Sequence, residues 1–389
     1  MPKEKVLHQL YHSKIAPFVP SALTELIGSR GVDVVKRVGI DVVKDVIADV
    51  LCGRNLRDST EMLTRRRIGM LNAATLIFFV KGLSASRRFI DDLPAVAAEG
   101  LTQRSSKQER WMLQWILGLT GKGVQNVLRD SDRALDGYRA KFIATNKDIL
   151  KQCENEYGPV AGNIVLADGS NVALTWQMLL SLFCTIGSQT LAIRGSEKST
   201  YGKLFERLIL GSVLEILDFK LVPYPPKETR LVFWLSSRLG ARESDATALI
   251  QPGQAVRFDI GFIGRGNPEI SKDKVSRFER EVEIGGKKFY SATCIIVDRI
   301  GERSKIVEQA KAINGTIVQM SMSFWPQQLA RELRSKVGFD HKLCDMPTAR
   351  VGSYLRRAVS ELRIERFVEA ISNLIAEEKD EPNQENDEK

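Results

Sequence analysis

Two aspartates, Asp245 and Asp259, are the residues of this sequence whose type and spacing most clearly point to chemical function. Asp245 precedes the apolar run 246–250, and Asp259 lies in a second run in which apolar residues alternate with polar ones. Between the runs, Pro252 and Gly253 predict a tight turn, because proline fixes φ and glycine accepts positive φ. The segment therefore predicts a β-hairpin that brings the two carboxylates alongside one another.

A carboxylate on the non-apolar side of a central strand is costly to bury unless a positive group meets it. The simplest partner for the two aspartates is a hard cation such as Mg²⁺, which takes oxygen ligands and keeps several waters. The alternative is purely structural: Asp245 caps a turn, and Asp259 pairs with an arginine of the core.

The stretch from Glu243 to Ile263 resembles the PD-(D/E)XK nucleases, a superfamily that includes many type II restriction endonucleases. In that superfamily an Asp starts one strand and a second acidic residue lies toward the end of the next strand; Asp245 and Asp259 match these positions. The lysine usual two residues after the second acid is replaced by Gly261. More specifically, residues 243–278 resemble restriction enzymes of the CfrBI type, and the resemblance covers roughly residues 196–330.

The resemblance implies a set of site residues. Asp245 and Asp259 would hold Mg²⁺, and Glu206 or Glu243 would add an outer ligand, Glu206 by its position on the first core helix. Lys274 would replace the missing lysine, with Lys272 as the other candidate, and would stabilise charge or orient water.

The function implied is that of a type II restriction endonuclease, which hydrolyses phosphodiester bonds of double-stranded DNA sequence-specifically with Mg²⁺. A repair or structure-selective nuclease on the same fold is one alternative. A DNA-binding protein with a decayed site is another, because Gly261 departs from the pattern. Cutting both strands of a palindrome requires two identical sites related by two-fold symmetry, which implies a homodimer. The helix predicted over 32–51 and the C-terminal helix are the candidate interfaces.

Composition fits a polyanion partner. The 389-residue chain has a formal net charge of +9 and a pI near 9.2. Clusters of basic residues beside apolar helices or near the predicted site are candidate DNA contacts; we select Arg65, Arg66, Arg67, Lys198 and Arg265. The run 120–123, TGKG, is too short for a phosphate loop, so we expect no nucleotide cofactor.

Other features of the composition disfavour several classes of protein. Three histidines are too few to favour zinc fingers or serine hydrolases, and five widely spaced cysteines suggest reduced thiols. No apolar run approaches the roughly 20 residues of a membrane span, and the N-terminus lacks the apolar core of a signal peptide. We therefore expect a cytoplasmic protein without a membrane partner.

The predicted fold is α/β, with a mixed-sheet PD-(D/E)XK nuclease core preceded by an all-α N-terminal region. We expect a helical region over 1–160, for DNA contacts or dimerisation, and the nuclease core over 161–345. A C-terminal helix is expected over 346–376 and a disordered acidic tail over 377–389.

Local patterns predict individual elements. Gly195 and Ser196 are expected to separate a helix over 175–193 from a second helix that ends near 216. Besides the hairpin, strands are predicted over 229–235, 292–297 and 317–322, with helices over 271–283 and 304–313. Strand–helix–strand succession with continuous apolar runs implies a right-handed crossover and a sheet covered on both faces.

Overall fold

The computed structural model describes residues 15–27, 31–102, 107–128, 134–236, 244–262, 292–298, 315–322 and 324–380. The chain forms two compact units. The first comprises Met1–Arg37 and Thr64–Lys198, and the second comprises Val38–Leu63 and Ser199–Lys389. This division differs from a boundary near residue 160, because the early segment 38–63 belongs to the same unit as the C-terminal half of the chain.

Helices dominate the described residues, and the described elements before residue 160 are all helical. In chain order after a 3₁₀ turn at Ala16–Phe18, they are α1 (Ser21–Leu26), α2 (Gly31–Val38), α3 (Ile40–Leu51), α4 (Leu56–Ser59), α5 (Glu61–Ala85), α6 (Phe89–Thr102), α7 (Lys107–Ile116), α8 (Gly121–Val127), α9 (Ala134–Tyr157), α10 (Trp176–Ile216), α11 (Trp325–Val337), α12 (Thr348–Glu361) and α13 (Ile364–Asp380). A short antiparallel pair, β1 (Asn163–Val165) and β2 (Asn171–Ala173), lies between α9 and α10.

Two helical stretches that lie mostly in the first unit are long and apolar enough to cross a membrane. By length and composition alone, Leu56–Ala85 and Trp176–Ser196 could cross a bilayer, which corrects the expectation that no such run exists. Within the unit, the Thr75 hydroxyl donates to the Gln189 side-chain oxygen at 2.8 Å, and both residues are buried. This polar bond joins the two helices inside a packed core, where apolar helices are also expected.

Glycine affects two helices in opposite ways. The helix predicted over 32–51 is two helices, α2 and α3, because Gly39 between them adopts a φ of +111°. By contrast, α10 runs unbroken through Gly195 and Ser196, so the predicted break there is wrong. A helical glycine costs only about 1 kcal/mol, which packing of the flanking apolar turns can exceed.

The second unit contains a mixed six-stranded sheet in the order β3-β4-β5-β6-β7-β8. Its strands are β3 (Lys220–Leu221), β4 (Val232–Leu235), β5 (Ala246–Gln251), β6 (Gln254–Gly261), β7 (Ala292–Val297) and β8 (Gly315–Gln319). The β4-β5-β6 neighbours pair antiparallel and include the predicted hairpin, and the β6-β7-β8 neighbours pair parallel, as the predicted crossovers require. The helices predicted over 271–283 and 304–313 lie outside the described residues.

Helices from both ends of the chain complete the second unit. Asp49 of α3 accepts from Arg356 of α12 at 3.0 Å, and the Val50 carbonyl accepts from the buried Trp325 indole at 2.9 Å. The predicted C-terminal helix is two helices, because the backbone is extended at Leu362. The last helix continues to Asp380, past the predicted start of the tail at 377; residues 381–389 lie outside the described part.

Candidate active site

The predicted hairpin is formed by β5 and β6, joined at Pro252 and Gly253, where Gly253 has a φ of +78°. Its antiparallel ladder pairs Ala246 with Phe258 and Thr247 with Arg257. Extending that register by one residue sets Asp245 opposite Asp259. Residues directly opposite in an antiparallel pair project from the same face of the sheet, so the two carboxylates share a face.

A side-chain hydrogen bond fixes the start of β5 against β6. The Ile260 amide donates to Oδ2 of Asp245 at 2.8 Å, so the carboxylate takes the place of a backbone acceptor where the ladder ends. Asp245 is half-buried, and Asp259 is buried, with 5% of its surface exposed. Because a buried carboxylate is costly without compensation, Asp259 requires a polar environment on this face.

The opposite face of the sheet is covered by α11. Phe258 pairs with Cys294, and Thr316, next to Cys294 on β8, donates from its hydroxyl to Glu332 of α11 at 3.4 Å. Burial raises the pKa of the Cys294 thiol to about 12. The apolar residues of β6 therefore face a buried helix–sheet interface, and the carboxylates lie on the other side.

The second half of α10 reaches the end of β4 beside these carboxylates. Arg207 donates from Nη2 to the Ser236 carbonyl at 3.4 Å, and the Ser236 amide donates to the Asp245 carbonyl at 3.1 Å. Glu206, the predicted additional ligand, precedes Arg207 on this helix and is half-buried. The helix, β4, β5 and β6 thus converge at one end of the sheet.

Comparison with known proteins identifies the family. The family model described as CfrBI restriction endonuclease matches residues 40–305. The type II restriction enzyme CfrBI of Citrobacter freundii is 40% identical over 354 residues, which cover 88% of this chain and 93% of that enzyme. No solved structure matches the chain.

The chain belongs to the CfrBI restriction endonuclease family. The resemblance to restriction enzymes of this type, inferred from the segment around Asp245 and Asp259, is confirmed. The mixed sheet is consistent with membership of the family. The match extends well before the sheet, to residue 40, so the family relationship includes much of the helical first unit and segment 38–63.

Several residues predicted for the site of this CfrBI-family chain cannot be placed. Glu243, Lys272, Lys274 and Arg265 lie outside the described residues, and the side chain of Lys198 on α10 is likewise not described. Within the described part of the chain, no three or more His, Cys, Asp or Glu side chains cluster as a metal site. Asp245, Asp259 and Glu206 are all described and do not form such a group, so the described site consists of the pair of aspartates, with Glu206 farther away on a neighbouring helix.

Arg65, Arg66 and Arg67, predicted as DNA contacts, have different environments on α5. Arg65 and Arg66 are exposed, whereas Arg67 is fully buried and donates from Nε and Nη2 to the Leu26 carbonyl at 3.2 and 2.7 Å. Leu26 is the last residue of α1, so Arg67 binds a terminal carbonyl of that helix. We therefore replace the DNA-contact role of Arg67 by a structural one.

Sequence reasoning missed two arginines near the carboxylates. Arg257 lies two residues before Asp259 on the same strand face and is buried, and the alternation that located Asp259 also marks it. Arg207 could not have been found from the sequence, because its contact with Ser236 joins residues on different elements.

Proposed function

We propose that this CfrBI-family protein is an Mg²⁺-dependent, sequence-specific endonuclease of double-stranded DNA, with Asp245 and Asp259 as its central carboxylates. The observation that carries the proposal is the bond from the Ile260 amide to the Asp245 carboxylate at the end of the β5-β6 ladder, whose register, extended by one residue, sets Asp245 opposite Asp259 on one face of the sheet. The family relationship supplies the reaction class, because the named relative is a type II restriction enzyme.

The two carboxylates fit the ligand requirements of Mg²⁺. Mg²⁺ sites that act on phosphates commonly use one or two carboxylates, with water and substrate oxygens completing the coordination. Asp245 and Asp259 would hold the ion, and Glu206 or Glu243 would add an outer ligand. When bound, the ion lowers the pKa of a water and stabilises the leaving oxygen.

The protein side chains have separate tasks in this mechanism. Asp259, held by the central strand β6, gives the site a fixed carboxylate, and Asp245 is oriented by its bond from the Ile260 amide. A cation near the phosphate, predicted as Lys274, would stabilise the charge that develops there. Burial of Asp259 keeps the carboxylate in a site of low dielectric, where such interactions are strong.

We also propose the finer fold assignment, a PD-(D/E)XK core. The antiparallel β4-β5-β6 meander places one aspartate at the start of β5 and the other near the end of β6, and parallel β7 and β8 follow. This succession supports the assignment. The helical first unit would then add DNA contacts, for which Arg65 and Arg66 are exposed candidates.

Two other functions make different predictions from the same fold. A structure-selective or repair nuclease would cut branched or damaged DNA without a defined recognition sequence. A DNA-binding protein with a decayed site, suggested by Gly261, would bind the duplex and leave it intact in Mg²⁺. Cleavage of plasmid DNA into discrete fragments favours the restriction endonuclease over both.

The test uses purified protein and plasmid DNA in Mg²⁺ and in EDTA. We expect discrete fragments in Mg²⁺ and no cleavage in EDTA. The Asp259→Ala variant should not produce these fragments, but it should bind DNA as well as the parent or better, because removing a carboxylate relieves repulsion of phosphate. Asp148→Ala, at an exposed aspartate of α9, is the control. A folded Asp259→Ala protein that cuts at the normal rate would refute the site assignment.

A further inference from the structure

The proposed reaction needs a positive group, and position 261 of β6, where the family pattern has a lysine, does not provide one. Attack of water on the phosphate builds negative charge on the non-bridging oxygens, and the carboxylates of Asp245 and Asp259 add further negative charge nearby. At Gly261, two residues after Asp259, the side chain is a hydrogen atom. A cation must therefore come from another position of the chain.

Arg207 of α10 is placed to supply that charge. Consecutive hydrogen bonds lead from its guanidinium to the Ser236 carbonyl at 3.4 Å, from the Ser236 amide to the Asp245 carbonyl at 3.1 Å, and from the Ile260 amide to the Asp245 carboxylate at 2.8 Å. Ser236 directly follows β4, and adjacent strands are about 4.8 Å apart. The guanidinium thus lies at the end of the sheet where the two aspartates lie.

Arg257 is the other arginine close to the aspartates, and its position suits the role less well. Arg257 lies two residues before Asp259 along β6, a distance of about 6.8 Å, and only 7% of its surface is exposed. Arg207 is half-buried and reaches the sheet end from a helix. A half-buried arginine beside the strand ends can meet a phosphate that a duplex brings to the carboxylates.

We propose that Arg207 contacts the phosphate at the cleaved bond and stabilises its charge in the transition state, a role for which the sequence offers no lysine at position 261. The inference rests on the proposed function of Asp245 and Asp259. In the reaction, the water oxygen bonds to phosphorus as the phosphorus–O3′ bond breaks, the attacking water releases a proton to solvent, the O3′ oxygen takes one up, and Arg207 neither gains nor loses a bond. A planar guanidinium presents paired N–H donors that match two phosphate oxygens.

The experiment compares Arg207→Ala, Arg207→Gln and Arg207→Lys in plasmid cleavage and in duplex binding measured without Mg²⁺. Cleavage by the alanine and glutamine variants is expected to fall by roughly 10²–10³-fold, while duplex binding falls by no more than about tenfold, the range of a single phosphate contact. Lysine keeps the charge, so its variant should cut faster than glutamine. Guanidinium ions should partly restore cleavage by the alanine variant, and urea at the same concentration should not.

Controls separate this inference from the proposed function. Arg366→Ala removes a half-exposed arginine that pairs with Glu215 at 3.7 Å in the same unit, and it should cut normally. If Asp259→Ala is inactive but Arg207→Gln cuts within threefold of the parent, the inference about Arg207 alone fails. It also fails if folded lysine and glutamine variants lose cleavage equally and guanidinium restores nothing. An active Asp259→Ala protein refutes the proposed function itself.

Discussion

Asp259 and Arg257 give the structural alternative at this site a specific form. They lie two residues apart on one face of β6, and both are buried. If Asp259 served only to balance a buried arginine, Asp259→Ala would leave that charge uncompensated and lower the free energy of unfolding by roughly 3–5 kcal/mol. Chemical denaturation of the variant, measured beside its cleavage, therefore distinguishes a metal-holding carboxylate from a structural one.

Arg67 and Arg66 are adjacent on α5 but should respond differently to substitution. Arg67→Ala leaves a cavity and removes two hydrogen bonds to the Leu26 carbonyl, so we expect a loss of about 2–5 kcal/mol in unfolding free energy. Arg66→Ala, at an exposed position, should change stability by less than about 0.5 kcal/mol.

DNA binding provides the second comparison for this pair. Only Arg66→Ala should weaken binding of the folded protein to a duplex, measured by fluorescence anisotropy. A stable Arg67→Ala protein with weakened DNA binding would contradict the structural role of Arg67.

The elements differ in how far they could be predicted from sequence. The hairpin followed from local signals, namely period-two alternation and the Pro252-Gly253 turn, and β7 has the predicted bounds because its apolar run is continuous. The continuity of α10 through Gly195 could not be predicted, since it depends on packing. The assignment of segment 38–63 to the second unit rests on contacts such as Asp49 with Arg356, which no local pattern encodes.

Glycines in the turn and in a helix provide a matched test of these local rules. Gly253 has positive φ with open space around it, so Gly253→Ala should cost about 1 kcal/mol through backbone strain alone. Gly202, inside α10 of the same unit, also has open space, and Gly202→Ala should stabilise by about 0.5–1 kcal/mol. Urea unfolding of both variants measures the two signs; a stabilising change at Gly253 would contradict the turn conformation.

The net positive charge of the whole chain predicts a strong effect of salt. Each phosphate contact releases counterions, so affinity for a duplex without the recognition site should fall steeply between about 50 and 200 mM salt. Binding titrations at several salt concentrations measure the slope. An affinity that hardly changes with salt would argue against DNA as the partner.

We propose that the protein acts as a two-fold dimer, because cutting both strands of a palindrome requires two sites related by symmetry. The interfaces predicted from sequence need revision: the apolar sides of α3, α12 and α13 are already buried within the chain. Sedimentation with and without DNA measures the assembly. A monomer in both conditions would contradict the proposal.

A cytoplasmic location and the absence of a nucleotide cofactor stay predictions.

The bond between the Trp325 indole and the Val50 carbonyl joins residues 275 positions apart. During synthesis at about 5–20 residues per second, α3 would leave the ribosome on the order of tens of seconds before α11 could cover it. Until then, its buried valines and isoleucine would lack their native neighbours from the C-terminal helices. The C-terminal helices thus complete the second unit last, and both strands of the β5-β6 hairpin would be synthesised before α11, α12 and α13.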